Sequence, residues 1–134
     1  MIKIQKENFD LEKEIDAIKF KHANVGAVST FIGYVRNINN SKKVISIDLE
    51  VYQDMAHKSL EKICKDANKK WSLIDSLVIH RYGQLEINEK IVLVATFSIH
   101  RDDSIASCNY IIDFLKKDAP FWKKEFYNEN FTWL

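Results

Sequence analysis

The run Ile91–Phe97 constrains this chain more than any other segment. A strand turns successive side chains to opposite faces, so a run that is apolar on both faces belongs in the middle of a sheet. Residues 90–99 are therefore predicted as a central strand. A second segment, 102–117, follows it at once as a long helix. It has Asp102, Asp103 and Ser104 at its start, Lys116 and Lys117 at its end and Pro120 beyond, the order of signals that opens and closes a helix. At 134 residues the chain is the length of one domain, 1–134, and long enough to bury a core without disulfides or metals.

Other elements follow from periodicity. Residues 2–6 read as a short strand, and 10–20 as a helix with Asp10 as N-cap and Leu11, Ile15 and Ile18 on one stripe. Residues 25–36 are β-branched and aromatic and read as a strand, with Gly33 marking a bulge or a close backbone approach. In 44–52, Ile45, Ile47, Leu49 and Val51 alternate with polar residues, the pattern of a half-buried strand. Residues 54–71 place Leu60, Ile63, Cys64, Ala67 and Trp71 at helical spacing. Residues 74–82 form another strand, GQLEINE joins it to the central one, and the aromatic tail holds one or two short strands.

Composition removes several function classes. With 20 Lys+Arg against 19 Asp+Glu the net charge is +1, which argues against a surface built for nucleic acid. No apolar run is long enough for a signal peptide or a membrane span, so a cytoplasmic setting is expected. Cys64 and Cys108 form no CxxC and fall on apolar helix stripes, so they read as core residues in a reducing compartment. The four histidines are scattered without metal-ligand spacing, and no GxSxG elbow or glycine-rich phosphate loop occurs.

What remains is a set of basic residues at element ends: Arg36, Arg81, His100, Arg101, Lys116, Lys123 and Lys124. Their bland reading is solvated surface charge, with Lys116 and Lys117 complementing a helix dipole. Helical geometry sets Lys116 apart. With Ile105 at zero and ~100° per residue, Cys108 lies at about 300°, Ile112 at about 340° and Lys116 at about 20°, on the edge of the stripe. Lys117 falls at about 120°, off it. A partly desolvated amine is one suited to catalysis, and a snorkelling stem is the rival reading. Convergence of Arg36, His100 and Arg101 with this lysine would make a pocket for a small phosphorylated substrate.

The segments GAVSTFIGYVRN, IHRYGQL, FSIHRDD and above all DFLKKDAPFWKKE resemble the large, catalytic subunit of molybdopterin synthase, in order over residues 20–134. The resemblance implies an α+β fold: an α/β hammerhead-like single domain with an antiparallel sheet, two long helices and a small additional sheet. It implies conversion of cyclic pyranopterin monophosphate (precursor Z) to molybdopterin, with sulfur from a thiocarboxylate on the C-terminal Gly-Gly of a ubiquitin-like small subunit. It further implies a homodimer at the core of a heterotetramer, and no protein-bound metal or organic cofactor. By the same resemblance Lys116 and Lys123 are the catalytic lysines, and Phe31, Tyr34, Val35, Arg36, His100, Arg101, Lys124 and Glu125 join them in binding substrate. The tail departs from the family pattern at Asn130 and Thr132, where family members often carry Gly and Arg, while Trp133 is retained. Two other readings are a non-catalytic module that docks a ubiquitin-like tail and an RNA-binding domain using the aromatics and lysines of 121–133. Neutral charge and the lack of an RNP-like motif disfavour the second.

Overall fold

The computed structural model describes residues 1–39, 42–127 and 130–133, with 39, 42 and 130–133 described by backbone only. In chain order the elements are β1 (Ile2–Gln5), α1 (Leu11–Lys19), β2 (Ala27–Tyr34), β3 (Ile38–Asn39), β4 (Lys42–Lys43), β5 (Ser46–Val51) and α2 (Gln53–Trp71). They continue with β6 (Asp75–Arg81), β7 (Gly83–Glu86), β8 (Lys90–Ser98), α3 (Arg101–Lys117), β9 (Phe121–Tyr127) and β10 (Asn130–Trp133).

β8 is an inner strand, in a sheet ordered β1-β6-β8-β2. Its neighbours β6 and β2 are antiparallel to it, and β1 joins the edge in parallel. The two-sided apolar run is explained by two cores. Val78, Val92 and Val94 face α2 and α3 with Leu60, Ile63, Cys108 and Ile111. Leu77, Ile79, Leu93, Ala95 and Phe97 face the other way, against Phe9 and Ile18. α1 is opened as the sequence indicates: the Asp10 carboxylate accepts from the Lys13 N–H at 3.1 Å.

A second sheet, ordered β10-β9-β5-β7, and the two-stranded β3-β4 ribbon complete the α+β architecture. The segment GQLE is itself a strand of this second sheet, not only a connection; Gly83 takes φ 87°, which lets the chain swing from β6 into β7. In β5 the alternation holds at Ile47 and Leu49, which are buried, but Ile45 precedes the strand and is 42% exposed. At Gly33 the β2–β8 register shifts, the bulge that the sequence suggests.

Gly26 is a fixed point of the fold. Its N–H donates to the Ser98 carbonyl at 2.9 Å, and an added Cβ would lie 2.1 Å from the Ile99 carbonyl oxygen. Backbone cannot yield as a flexible side chain can. Gly26→Ala is expected to lower stability by about 2–3 kcal/mol, read as a lower urea midpoint with unchanged slope.

The face that α3 turns inward differs from the sequence reading. Ser104, Ser107, Cys108 and Ile111 are buried, while Ile105 is 58% exposed. Small residues let the helix approach the sheet closely, and their hydroxyls are satisfied there. Ser29 Oγ donates to Ser104 Oγ at 2.9 Å, and Thr96 Oγ1 donates to the Ser104 carbonyl at 2.6 Å. A stripe phased on large apolar residues misses that choice. Lys116 is consequently exposed, and its place in the fold comes from its neighbours Ile112 and Leu115 rather than from the core stripe.

Candidate active site

Helix α3 ends and strand β9 begins within three residues. The Asp118 N–H donates to the Phe114 carbonyl at 2.9 Å, and the Phe121 N–H donates to the Ala119 carbonyl at 2.8 Å. Pro120, which has no N–H to continue a helix, stands between them. This tight turn brings Lys116, from the last turn of α3, and Lys123, from β9, to one cavity of about 350 Å³. Its walls are Phe31 of β2, Leu49 of β5, Ile91 and Val92 of β8, Ile112 and Leu115 of α3, and Phe121 of β9. His80 of β6 completes them. The cavity is thus a seam between the two sheets, closed by the end of α3. Phe121 stacks on the His80 ring across that seam, with centroids 3.6 Å apart and planes 16° from parallel.

Burial pushes the His80 imidazole down to about 4, with the backbone hydrogen bond to Arg81 pulling weakly the other way. His80 is neutral at physiological pH. Two lysines, one neutral histidine and an otherwise apolar wall suit a small anionic ligand with an apolar body. A cavity of similar size, about 370 Å³, is lined by Glu50, Val51, Tyr52 and Trp122. It offers a carboxylate and two aromatics but no cation. Among the described residues, no three His, Cys, Asp or Glu side chains gather where they could hold a metal ion.

The other sequence-derived site residues are dispersed. Tyr34 and Arg36 are exposed at and just past the end of β2, three residues or fewer beyond Gly33, the register partner of the cavity residue Val92. Val35 between them is buried in the core beneath the second sheet, and its N–H donates to the Glu89 carbonyl at 2.9 Å. Its side chain is structural. Lys124 turns to the opposite face of β9 from Lys123, in register with Asp48. Glu125 is buried and accepts a hydrogen bond from the Tyr127 hydroxyl. His100 and Arg101 are exposed at the far end of the first sheet: Ala27 pairs with Ser98 at that end, Tyr34 with Lys90 at the other. Along α3, Arg101 and Lys116 are separated by ~22 Å at 1.5 Å per residue. Arg36 and the His100–Arg101 pair therefore do not converge in one copy of the chain.

Arg81 is a structural cation rather than a site residue. It is buried, its Nε donates to the Lys6 carbonyl at 3.0 Å and one terminal nitrogen donates to the Lys90 carbonyl at 2.9 Å, with Glu89 at 3.3 Å. Its charge ties β1, β6 and β8 together. The backbone alone is described at Asn130, Thr132 and Trp133, so the altered tail positions lie outside the described side chains.

The model of the MoaE protein family matches residues 4–118. The chain belongs to the MoaE family. Among its relatives, the molybdopterin synthase catalytic subunit of Ralstonia nicotianae is 45% identical over 133 residues, covering 99% of this chain and 76% of that protein. The human molybdopterin synthase catalytic subunit is 43% identical over 108 residues, 81% of this chain and 57% of that one. Two solved structures share the fold. A molybdopterin biosynthesis MoaE protein from Burkholderia ambifaria superposes with a TM-score of 0.87 at 40% identity, covering 100% of this chain and 88% of the other. Molybdopterin synthase from Staphylococcus aureus does so with a TM-score of 0.90 at 32% identity, covering 98% and 95%. The MoaE family match spans α3 and the cavity-forming strands β2, β5, β6 and β8.

Proposed function

We propose that this chain, as one domain over 1–134, is the sulfur-transferring catalytic subunit of a molybdopterin synthase and works in the cytoplasm. It takes sulfur from the thiocarboxylated Gly-Gly tail of a ubiquitin-like small subunit and delivers it to cyclic pyranopterin monophosphate. The observation that carries this reading is the meeting of Lys116 and Lys123, from separate elements, at one largely apolar cavity.

The chemistry needs that arrangement. Substrate and sulfur donor are both anions, so bringing them together costs electrostatic energy that two ammonium groups offset. The apolar walls lower the local dielectric on their side of the cavity, which strengthens the attraction and favours charge stabilisation as the transition state forms. Lys116 and Lys123 act as proton donors or stabilise the developing oxyanion, and Phe31 borders the bound pterin. Lys124 and Glu125 follow Lys123 on β9 in the substrate-contacting stretch. An extended Gly-Gly tail has no side chains, so its recognition rests on main-chain hydrogen bonds and on proximity to the substrate. Arg36 and Tyr34, beyond the cavity end of β2, serve the phosphate, since Arg matches it bidentately. His100 and Arg101 stand too far from Lys116 within one copy. A phosphate contact from them requires the second copy in the homodimer.

The test follows the donor. With wild-type chain and the pterin both present, the mass of the small subunit's tail should change from thiocarboxylate to carboxylate. A tail that stays thiocarboxylated in a stable complex would favour the non-catalytic docking module instead.

No thiol of this chain enters the scheme. Cys64 and Cys108 are buried, and burial raises both thiols, Cys108 to about 11. Neither holds appreciable thiolate near neutral pH. The double variant Cys64→Ser, Cys108→Ser is expected to retain sulfur transfer within about threefold, a change of under 1 kcal/mol in barrier. Complete loss in a folded double variant would point to a persulfide route.

A further inference from the structure

We propose that His80 is a substrate-contact residue of this cavity, whose Nε2 accepts a hydrogen bond from an N–H of the bound pterin. The inference rests on the proposed function and adds the group that reads the heterocycle rather than its charge.

Three of the cavity's lining side chains are polar: Lys116, Lys123 and His80. A lysine ammonium has three donors and no acceptor. The lysines can meet the anionic part of a ligand but cannot satisfy a donor. A reduced pterin carries several ring and amino N–H groups, and each one buried without a partner costs binding energy. His80 is the lining side chain with a lone pair to offer.

Its local geometry fixes that lone pair. Nδ1 lies 2.8 Å from the Arg81 carbonyl oxygen, which accepts only, so Nδ1 carries the proton and Nε2 does not. The ring is clamped by its stack on Phe121. No described residue bonds Nε2. His80 lines the cavity and its Nδ1 is already bonded to the backbone, so Nε2 is the ring nitrogen left for a ligand there. Burial also keeps the ring neutral where the enzyme works, so the acceptor is available throughout the physiological range.

The first test uses the wild-type protein. In ¹⁵N-labelled chain the His80 ring is expected in the Nδ1–H form at neutral pH, its signal assigned by its absence from His80→Phe. Saturation with the pyranopterin monophosphate, small subunit absent, should move its Nε2 resonance in the direction of hydrogen bonding without changing the tautomer. The second test is kinetic. His80→Phe keeps the stacked ring and removes the acceptor, and is expected to raise KM for the pterin about tenfold with kcat little changed, as loss of one buried hydrogen bond to a ligand does. His80→Gln, which returns an acceptor near the Nε2 position, should recover most of that loss. A still Nε2 resonance in wild type that forms product overturns the role of His80 alone, as does an unchanged KM in folded His80→Phe. Failure of wild type either to bind the pterin or to form product overturns the parent reading as well. If His80→Phe does not fold, the wild-type resonance decides.

Discussion

Lys116→Ala is expected to lower sulfur transfer by about 10²–10⁴-fold, the range for loss of a positioned acid–base group. Affinity for the small subunit should stay within a few fold. The expectation follows from where the lysine sits. It lies in the last turn of α3 at the cavity, its neighbours Ile112 and Leu115 form the adjoining wall, and Lys123 enters from β9 across a three-residue turn. Removing its ammonium leaves two anions facing one remaining cation. Lys123→Ala should cause a loss of the same kind, and the two losses should not add, because the pair acts on one transition state. Lys116→Arg separates the two chemical roles: it restores charge, so recovery indicates electrostatic stabilisation, whereas persistent loss indicates proton transfer by the amine. Single-turnover kinetics with saturating small subunit read these effects free of partner affinity.

Acid should destabilise the fold through His80. Its ordinary value is 6.5, and in the fold it falls to about 4. Between those two values the unfolded chain binds a proton that the native chain refuses. Stability is therefore full above pH 6.5, falls as pH drops through that window and levels off below the native value. A depression of that size is worth on the order of 3 kcal/mol at ~1.4 kcal/mol per unit. Urea unfolding of the wild type at neutral pH and again in mild acid should show most of that loss. His80→Phe, with no ring nitrogen to protonate, should lose that much less over the same span. Equal losses in the two proteins would contradict the assignment of acid sensitivity to this residue.

Much of the fold is legible because its physics is local. Ile91–Phe97 is apolar at nearly every position, which forces an inner strand, and Asp10 is a carboxylate three residues before an N–H it can cap. Gly33 marks its bulge because other residues resist that backbone. The lysine pair is legible for the same reason, since only a short Pro-containing turn separates them. Other features depend on what lies across the interface. α3 buries Ser104 because Ser29 and Thr96 are there to bond its hydroxyl and carbonyl, while the Ser107 hydroxyl turns back to the Ser104 carbonyl, and no helical periodicity carries that information. Arg81 resembles a site cation in sequence, yet the carbonyls of Lys6 and Lys90 claim it. Arg36 and His100 both end strands, but β2 and β8 are antiparallel, so the ends that look alike point apart. His80 is hidden among scattered histidines. Its signal is a polar residue closing the run LVI on the face that Val78 shares with the helices, and only the fold brings Phe121 and the lysines to it.

The most direct test of the central claim is formation of the dithiolene itself. Wild-type chain, thiocarboxylated small subunit and cyclic pyranopterin monophosphate are mixed, and the pterin product is read by mass beside a parallel reaction with Lys116→Ala. The account predicts a pterin carrying two sulfurs with wild type and almost none with the variant. Equal product from the two proteins would remove Lys116 from the chemistry, and no product from wild type in a stable complex would contradict the sulfurtransferase reading outright.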